Sequence, residues 1–562
     1  MNKVFTITGK SILATLFFLA LCESSPEGLI AQHHAPIPLH ESADGFYIKN
    51  VSENAIQLKT DLPNAILEGY KISNRTEWKD QPVGIRTAEI ELAGLEPGTL
   101  YEVSLAISTD ERSDTLRNMP IVTRSRSSGE ILVYFNSSVN TGISTGPEPV
   151  STSGTVLRNR LLQLIDEAEH TLDVAAYNNN RSEIVDALIA AYYRGVRVRY
   201  IAEGENANTA LNRSLPFEVL ERDDNDGIMH HKFVIADADH ENISWVFTGS
   251  TNLTTQQIAT DNNNSLFIQD QSLAKIYEME FEEMWGSNTE TPNHASSRFG
   301  ENKVSNTPQF LEIGNVPTQI YFSPSDNTAW HISNALEDAE ESISFALLIF
   351  TFNPLAETLI SKHFQGLNVR GLIHDVTSTG TRFPKLQSNN MNVHQDQVNG
   401  VQLHHKYAIV DADAESSSAQ PRVITGSHNW TNRANNHNDE NTLILHSVEI
   451  ANIFRQEFEA RWCENVPDEC MVNTYELIGK SSGFFSVFPN PSVTTTHVEF
   501  NEEFSDQPYT FMVFDRSGKI IKSGFRQTNS GVFQLSNLPT GSHFLRIDSN
   551  GQTQTIQIVI QN

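Results

Sequence analysis

Hydrophobic and polar positions follow two different periodicities along the chain, and the change of periodicity separates the two ends of the chain from its middle. Toward both ends, apolar and polar residues alternate in short runs between turn residues, as in residues 101–107. Period-two alternation of this kind is typical of half-buried β-strands. In the middle of the chain, residues 131–135 and 172–177 are nearly continuous apolar runs, whereas residues 155–168 and 184–193 carry apolar positions at helical spacing. Strands that alternate with helices predict an α/β core between two all-β ends.

The order of elements in this core occurs twice. Each half is predicted to contain an opening strand, a helix, a buried strand, a second helix and a further strand. The first half has these elements at residues 131–135, 155–168, 172–177, 184–193 and 196–201, and the second half has them at 320–322, 329–339, 342–350, 355–363 and 369–373. An internal duplication of this length predicts two lobes packed about a pseudo-two-fold axis. Residues 288–308, rich in Asn, Ser, Thr and Pro, have the composition of a linker between the lobes.

Each half also contains the same polar motif. Residues 229–252 read MHHKFVIADADHENISWVFTGSTN, and the later stretch LHHKYAIVDADAESSSAQPRVITGSHNW repeats this order. Because side chains two apart on a strand share a face, His230 and Lys232 are predicted to point into one cleft. One copy could be a strand histidine inside a core, but two copies make that interpretation weak. His231 and His405, one residue further along in each copy, are predicted to face away and to be structural.

The two motifs and the elements around them resemble the phospholipase D superfamily over roughly residues 129–470. The resemblance implies a duplicated fold that hydrolyses or transfers phosphodiesters, with no metal and no cofactor. The matching catalytic candidates are His230, Lys232, Asp237, His404, Lys406 and Asp411, and the matching substrate-binding candidates are Ser250, Asn252, Ser427 and Asn429. The two aspartates are expected to fix the motif geometry by hydrogen bonding, since a carboxylate beside a phosphate would repel it.

The residue types in these motifs suit phosphodiester cleavage. One imidazole can attack phosphorus to give a phosphohistidine, while the other protonates the leaving alkoxide and later activates water. Imidazole serves both tasks because its ordinary pKa of about 6.5 lets it hold or release a proton near neutrality. The lysines would hold the phosphoryl oxygens as point charges, and the Asn and Ser side chains would add neutral donors.

The two halves differ at one informative position. The superfamily commonly has an acidic residue after the motif that orients a catalytic histidine. Glu440 fits this role, but the matching residue in the first half is Asn263. The resemblance favours His230 as the nucleophile, while the uncharged Asn263 leaves open which histidine attacks first.

The flanking all-β regions resemble two other families. The phrase LEPGTLY at residues 95–101 is similar to the fibronectin type III signature, in which the tyrosine braces the corner before a strand. At the other end, PNP at residues 489–491 and LPTG at residues 538–541 resemble the C-terminal sorting domain of type IX secretion cargo in Gram-negative bacteria. This second resemblance implies an export address read by the type IX secretion machinery. A generic carbohydrate-binding or adhesive sandwich is the alternative.

The predicted architecture is multidomain: a duplicated α/β phospholipase D-like core of two lobes, flanked by all-β sandwich domains at both ends. Its predicted segments are a signal peptide (1–22), a fibronectin type III-like β-sandwich (33–125), lobe 1 (129–288), a linker (289–312), lobe 2 (313–470) and a C-terminal β-sandwich sorting domain (483–562). The signal peptide is predicted from Lys3 and Lys10 ahead of the apolar run 12–22, which is too short to span a bilayer. A lipoprotein site at Cys22 is the alternative.

Composition narrows the choice of partners. The 562 residues carry a formal net charge of −30, and general binding to a phosphate backbone would need a basic surface, so nonspecific nucleic-acid binding is disfavoured. Removal of a signal peptide would leave Cys463 and Cys470, which are predicted to form a disulfide in an oxidising compartment. The acidic run 223–227 lacks the spaced ligands of a calcium loop and is predicted to be a solvated turn.

Three functions are compatible with these patterns. The leading hypothesis is a secreted enzyme of the phospholipase D type that hydrolyses phospholipid head groups at a membrane surface, with Trp430 as an apolar contact. The alternative is a secreted, metal-independent endonuclease, because the G-S-x-N-W-T form of residues 426–431 resembles a branch containing both endonucleases and mitochondrial-type phospholipases. A non-catalytic surface adhesion protein is the third hypothesis, and the two intact sets of His, Lys and Asn disfavour it.

Overall fold

The computed structural model describes most of the core and separate stretches of both ends. The described residues are 37–38, 46–60, 66–73, 79–80, 89–108, 113–206, 208–222, 226–398, 400–414, 416, 418–470, 485–488, 495–500, 508–515, 519–526, 532–536, 538–539, 541–549 and 552–560. The predicted signal peptide, residues 223–225 of the acidic run and the PNP phrase lie outside the described residues. None of the helices in the described part of the chain is both long enough and apolar enough to cross a membrane.

Eight strands toward the N-terminus form two four-stranded sheets. They are β1 (Ile37–Pro38), β2 (Phe46–Val51), β3 (Ala55–Thr60), β4 (Ile66–Ile72), β5 (Lys79–Asp80), β6 (Glu89–Ala93), β7 (Leu100–Ser108) and β8 (Ser113–Val122). The strand orders are β1-β2-β3-β6 and β5-β4-β7-β8, and apolar residues of both sheets share one core cluster. The Tyr101 hydroxyl accepts a 2.8 Å hydrogen bond from the Glu96 backbone N–H and so braces the turn ahead of β7. The fibronectin type III resemblance stays a prediction.

Lobe 1 is built on a seven-stranded mixed sheet. Its strands are β9 (Ile131–Phe135), β10 (Thr171–Ala176), β11 (Arg197–Glu203), β12 (Val219–Arg222), β13 (Lys232–Ala236), β14 (Trp245–Gly249) and β15 (Asn264–Ile268), and its helices are α1 (Gly154–Glu167), α2 (Ser182–Arg194), α3 (Thr255–Ala259) and α4 (Gln271–Trp285). The strand order is β12-β11-β10-β13-β14-β15-β9. Strand β10 runs parallel to β11 and antiparallel to β13. Helix α2 stops at Gly195, whose φ of 98° suits glycine because it lacks a Cβ.

Lobe 2 repeats this sheet and adds one edge strand. Its strands are β16 (Phe310–Ile313), β17 (Val316–Ser323), β18 (Ser342–Ile349), β19 (Asn368–Asp375), β20 (Asn392–Gln395), β21 (Lys406–Val410), β22 (Arg422–Gly426) and β23 (Glu440–Leu445), and its helices are α5 (Thr328–Glu337), α6 (Asn353–Phe364), α7 (Phe383–Ser388), α8 (Asn432–Asn436) and α9 (Val448–Asn465). The order β16-β17-β23-β22-β21-β18-β19-β20 matches lobe 1 strand for strand from the opposite edge. The predicted linker therefore ends too late, because residues 310–312 already pair with β17 in the lobe 2 sheet.

Helices α4 and α9, which the sequence pattern did not single out, close the core where the two sheets meet. One apolar cluster contains buried residues of both sheets together with Tyr277 and Trp285 of α4 and Phe454 and Trp462 of α9. Helix α9 is buried on nearly every face, including the carboxylate of Glu457, so no one-sided apolar stripe marks it in the sequence. The two lobes therefore share a core instead of merely touching.

Seven strands toward the C-terminus form two further sheets. They are β24 (Phe485–Phe488), β25 (Thr495–Phe500), β26 (Tyr509–Asp515), β27 (Ile520–Arg526), β28 (Val532–Ser536), β29 (Gly541–Ser549) and β30 (Gln552–Ile560). The orders are β24-β25-β28 and β27-β26-β29-β30, and Val498, Val513 and Leu545 belong to a cluster common to both sheets. The description of the two chain ends as separate sandwich domains, with the boundaries given above, stays a prediction.

Candidate active site

The two histidine motifs lie where the two sheets meet. His230 stands two residues before β13, and its backbone N–H donates to the carbonyl oxygen of Asp439 at 2.9 Å. His404 stands two residues before β21, and its backbone N–H donates to the carbonyl oxygen of Asn262, also at 2.9 Å. Each histidine is therefore tied through its main chain to the opposite lobe. The two residues are 6% and 4% exposed, so both rings are almost fully buried at this seam.

The side chains of the two histidines are likewise held by residues of the opposite lobe. His230 Nδ1 lies 2.7 Å from Glu440 Oε2, and His404 Nδ1 lies 2.9 Å from Asn263 Oδ1. Each orienting residue follows the motif of its own lobe but holds the histidine of the other lobe. Because Nδ1 is engaged in both rings, Nε2 is the nitrogen left to meet a substrate.

The exchange makes the two histidines electrostatically different. Burial lowers the pKa of His230 to about 4, against the opposing effect of the Glu440 carboxylate. Burial pushes the pKa of Glu440 upward, but His230 and Lys232 outweigh it and hold that pKa at about 2. Burial and the ammonium groups of Lys406 and Lys232 keep the pKa of His404 well below its ordinary value. Of the two rings, His230 is the one with a carboxylate at hydrogen-bond distance to compensate a positive charge.

The two motif lysines are buried beside the histidines. Nζ of Lys232 donates to the backbone oxygen of His230, and Nζ of Lys406 donates to that of His404, each at 2.6 Å. Burial lowers the pKa of Lys232 to about 7, and burial together with the Lys232 charge lowers the pKa of Lys406 well below its ordinary value. Lys232 also lies 5.0 Å from the ring centroid of Tyr177, which meets the His230 ring edge-on. An anion between the lysines would offset their repulsion, so the site suits a phosphate.

These pKa values predict an acidic optimum for kcat/KM, between about pH 4 and pH 7. As the predicted nucleophile His230 must be neutral to attack, so activity should rise as the pH passes the His230 pKa of about 4. Both motif lysines are predicted to hold the phosphate as cations, so activity should have fallen by the time the pH passes the Lys232 pKa of about 7. A pH profile of kcat/KM on bis(p-nitrophenyl) phosphate, whose leaving group departs without a proton, checks this at constant ionic strength. A profile that still rises well above neutrality would contradict it.

The serine and asparagine after each motif have different tasks. Ser250 Oγ donates to Asn263 Oδ1 at 3.0 Å, and Ser427 Oγ accepts from a backbone N–H of β23 at 3.0 Å. Both hydroxyls therefore help to hold the residues after the motif. The Oδ1 atoms of Asn252 and Asn429 are buried and have no hydrogen-bond partner among the described residues. Buried polar atoms are usually paired, so these two amides are the neutral groups left to meet a substrate. Oδ1 could accept from a substrate hydroxyl, whereas a phosphoryl oxygen would need the Nδ2 donor of each amide.

Glycines before the serines let the neighbouring strands close together. Gly249 and Gly426 have φ values of 137° and 149°. A Cβ at Gly426 would lie 2.2 Å from the Asn441 carbonyl oxygen, and one at Gly249 would lie 2.5 Å from that of Asn264. The G-S pair in each motif is therefore a packing requirement as much as a chemical one.

Asp237 and Asp411 lie at the far ends of their strands from the histidines. The Asp237 carboxylate accepts backbone hydrogen bonds of 2.7, 2.8 and 2.9 Å from residues 169–171. The Asp411 carboxylate accepts three bonds of 2.9 Å from residues 340–342. Strands β13 and β21 separate each aspartate from its lysine by about 16 Å, at about 3.3 Å per residue. The two aspartates therefore position the ends of the motif strands, and both lie too far from the motif lysines to touch a substrate bound there.

His231 and His405 contact the two helices that close the core. Nε2 of His231 lies 2.9 Å from Glu280 Oε1 on α4, and Nε2 of His405 lies 3.0 Å from Glu457 Oε1 on α9. Both histidines are fully buried, so they fasten the motif strands to the helices. Lys303, within the predicted linker, has a buried side chain and forms an ion pair with Glu280. That part of the linker is therefore packed into the seam.

Two residues of the second motif differ from the sequence-based expectations. Trp430 is fully buried and packs on Phe345 and Phe350 at centroid distances of 6.0 and 5.2 Å, so its expected role as an apolar substrate contact is wrong. His428 was not singled out, although the GSHN phrase offered a third histidine as a signal. It is buried, and neither ring nitrogen has a hydrogen-bond partner among the described residues. Burial lowers its pKa to about 4, with Glu440 opposing the shift.

Cys463 and Cys470 are joined by a disulfide, and they lie seven positions apart in the sequence. Cys463 belongs to the last turn of α9, the helix whose Glu457 holds His405. The bridge therefore secures the end of a helix that supports the second motif.

One described group could hold a metal ion. Ligand atoms of Asp226, Glu301 and His437 lie within 4.8 Å of one another, and the two acidic residues are exposed. The group contains none of the motif residues, so it lies outside the pair of histidines.

Comparisons with known proteins identify the family of the core. A family described as "Cardiolipin synthase, PLD-like domain" matches residues 161–285 and 332–462. A second family, "Secretion system C-terminal sorting domain", matches residues 486–561. The core of this chain belongs to the phospholipase D superfamily. The sorting domain indicates a secreted or cell-surface protein.

Individual relatives match parts of the core. The mitochondrial cardiolipin hydrolase of Xenopus tropicalis is 33% identical over 131 residues, which are 23% of this chain and 58% of that protein. The phospholipase D of Rickettsia conorii is 29% identical over 157 residues, 27% of this chain and 74% of that protein. The phosphatidylserine synthase structure from Haemophilus influenzae has a TM-score of 0.42 at 12% identity and covers 55% of this chain and 84% of that one. The chain thus spans little more than half the length of the cardiolipin hydrolase it matches.

Proposed function

We propose that the protein is a secreted phosphodiesterase of the phospholipase D type that hydrolyses phospholipid head groups through a phosphohistidine. The observation that carries the proposal is the exchange of orienting residues across the seam, which gives His230 a carboxylate partner and His404 an amide partner. Phosphodiester cleavage needs such an unequal pair: a nucleophile whose ring becomes cationic, and an acid that gives up a proton. The sorting domain supports export from a Gram-negative bacterium through contact with the type IX secretion machinery.

In the first step His230 Nε2 attacks phosphorus, the bond from phosphorus to the leaving oxygen breaks, and His404 gives its Nε2 proton to that oxygen. The phosphorylated His230 ring is cationic, and the Glu440 carboxylate beside Nδ1 stabilises it. In the second step His404 takes a proton from water, the water oxygen attacks phosphorus, and the phosphorus–nitrogen bond breaks. The two motif lysines and the Nδ2 groups of Asn252 and Asn429 hold the non-bridging oxygens throughout. An anionic phosphate beside His404 raises its pKa, which lets that ring enter the first step protonated.

A lipid substrate is favoured over a nucleic acid. The formal net charge of −30 is unsuited to counterion release on a polyanionic backbone. The curated relatives are called cardiolipin hydrolase and phospholipase D, names that point to lipid phosphodiesters. A metal-independent endonuclease is the second candidate. A purely adhesive protein would have no use for two buried His–Lys pairs.

The test is a substrate panel with the purified protein in the presence of a chelator. Mixed phospholipid vesicles should yield phosphatidic acid, bis(p-nitrophenyl) phosphate should be hydrolysed, and single- and double-stranded DNA should stay intact. DNA cutting without phosphatidic acid would move the function to the endonuclease. Activity lost on adding the chelator and restored by a metal would contradict the metal-free mechanism. Inactivity toward every substrate would reject the enzyme.

A further inference from the structure

A polar cavity, lined mostly by lobe 2 residues and by Gln256 of lobe 1, lies beside the segment that leads into His404. Its volume is about 610 Å³. The lining residues that matter here are His374, Asp396 and four glutamines, Gln256, Gln395, Gln397 and Gln402. None of them is used by the mechanism proposed above.

A histidine–carboxylate pair forms one wall of the cavity. His374 Nδ1, at the end of β19, lies 2.7 Å from Asp396 Oδ2. The Asp396 side chain is buried, and its Oδ1 accepts a 3.1 Å hydrogen bond from Asn465 Nδ2. The carboxylate therefore fixes the imidazole and occupies Nδ1. The His374 side chain is 27% exposed, so Nε2 is the nitrogen that can meet a ligand.

The lining chemistry suits a neutral, hydroxyl-rich ligand. Each glutamine amide offers both a donor and an acceptor, which matches hydroxyl groups. The described lining residues include no lysine and no arginine, and they include the carboxylate of Asp396. A second phosphate would meet no cation here, whereas an alcohol with several hydroxyls would find partners on more than one side.

The cavity lies close in the chain to His404, the residue proposed to protonate the leaving alcohol. Gln402 lines the cavity and stands two residues before His404, about 6–7 Å away along an extended chain. The Leu403 backbone nitrogen, between the two, lies 3.4 Å from His374 Nδ1. In the proposed mechanism His404 protonates the leaving oxygen, so the leaving alcohol departs on this side of the phosphorus.

We infer that this cavity is the leaving-group subsite and that it selects a neutral polyhydroxyl alcohol, such as a glycerol head group, over a quaternary ammonium head group. The inference rests on the proposed function, because it takes His404 as the acid. His374 and the glutamines are then residues that determine specificity by hydrogen bonding to the alcohol, and they do not touch the reacting phosphorus.

The experiment compares phosphatidylglycerol with phosphatidylcholine at equal low mole fraction in neutral detergent micelles, measured as glycerol and choline released. The native protein should prefer phosphatidylglycerol by about tenfold or more in kcat/KM, since each unpaired hydrogen-bonding group in such a site costs roughly this factor. His374→Ala and Gln397→Leu should each lower that preference by about tenfold. Gln365→Leu, an exposed glutamine of the same lobe outside the cavity, is the matched control and should change nothing.

Bis(p-nitrophenyl) phosphate separates the two possible failures. Its leaving group has no hydroxyls to bind, so all three variants should hydrolyse it within about twofold of the native rate, which also shows that they are folded. If the native protein does not hydrolyse it, the proposed function fails. If hydrolysis is normal but the native protein shows no preference, or neither cavity variant changes that preference, the cavity inference fails alone. Loss of single-stranded DNA cutting in the cavity variants with an unchanged lipid preference would also overturn it, in favour of a nucleoside subsite.

Discussion

His230→Ala should abolish the turnover of bis(p-nitrophenyl) phosphate, whereas His404→Ala should release one equivalent of p-nitrophenol per active site and then stop. The difference follows from the leaving group. p-Nitrophenolate departs without a proton, so the first step does not need His404, but water activation in the second step does. In the proposed mechanism, the loss of His230 removes the nucleophile and with it the first step. Steady-state rates should fall by about 10³–10⁴-fold in both variants, the usual cost of removing an acid–base or nucleophilic group.

Rapid-quench measurement of p-nitrophenol, with the mass of the His230 peptide, checks this prediction. The His404→Ala protein should carry the p-nitrophenyl phosphoryl group on that peptide. His294→Ala, at an exposed position, is the control and should turn over normally. A burst in His230→Ala and none in His404→Ala would exchange the two roles.

Much of the core fold could be predicted from local sequence patterns. The first strand of lobe 1 was predicted at residues 131–135, and the structure has it as Ile131–Phe135. Helix α2, predicted at residues 184–193, runs from Ser182 to Arg194. These elements can be predicted because the spacing of apolar residues within each one is a local property of the sequence. Helix α9 escaped prediction because burial from several directions removes a one-sided apolar stripe. Helix α4 keeps apolar residues at helical spacing, such as Leu273, Tyr277 and Phe281, so its pattern was a usable signal that the sequence analysis missed.

The pairing within the site could not be predicted in the same way. The sequence identified Glu440 and Asn263 as counterparts, but it could not say which histidine each one holds. That choice depends on how the lobes pack, a property of residues about 140 to 210 positions apart. Trp430 illustrates the same limit, since its burial depends on Phe345 and Phe350 far away in the chain.

The duplicated core keeps one main-chain geometry in both halves and varies the charge of the side chains around it. Asp439, before Glu440, accepts from Arg222 Nη1 at 2.7 Å and from the Gly300 N–H at 2.9 Å. Its counterpart Asn262 accepts from Arg461 Nη1 at 2.8 Å. One half thus has two adjacent carboxylates where the other has two amides. Such a difference lets two equivalent histidines take unequal roles without any change of backbone.

Glu440→Gln should therefore lower kcat by about 10²–10⁴-fold with little change in KM, as losses of a buried charge-stabilising or histidine-orienting group do. The amide keeps the shape and an oxygen for His230 Nδ1–H, but it removes the charge that stabilises the phosphorylated ring. The same carboxylate raises the pKa values of both His230 and Lys232. Its loss should lower both values and move the whole pH optimum of kcat/KM to lower pH.

Asn263→Asp is the matched change in the other half. It places a carboxylate on His404, which should raise the pKa of that ring and keep kcat within about tenfold of the native value. Because the proposed mechanism needs a neutral His404 to activate water, the pH profile of kcat should move upward. Thermal unfolding of both variants reports whether the fold is retained. A Glu440→Gln protein that keeps nearly full activity and an unmoved pH profile would show that Glu440 only fills space. If the Glu440→Gln protein is folded and shows both a large kcat loss and a shifted pH profile, Glu440 acts through the charge of the His230 ring.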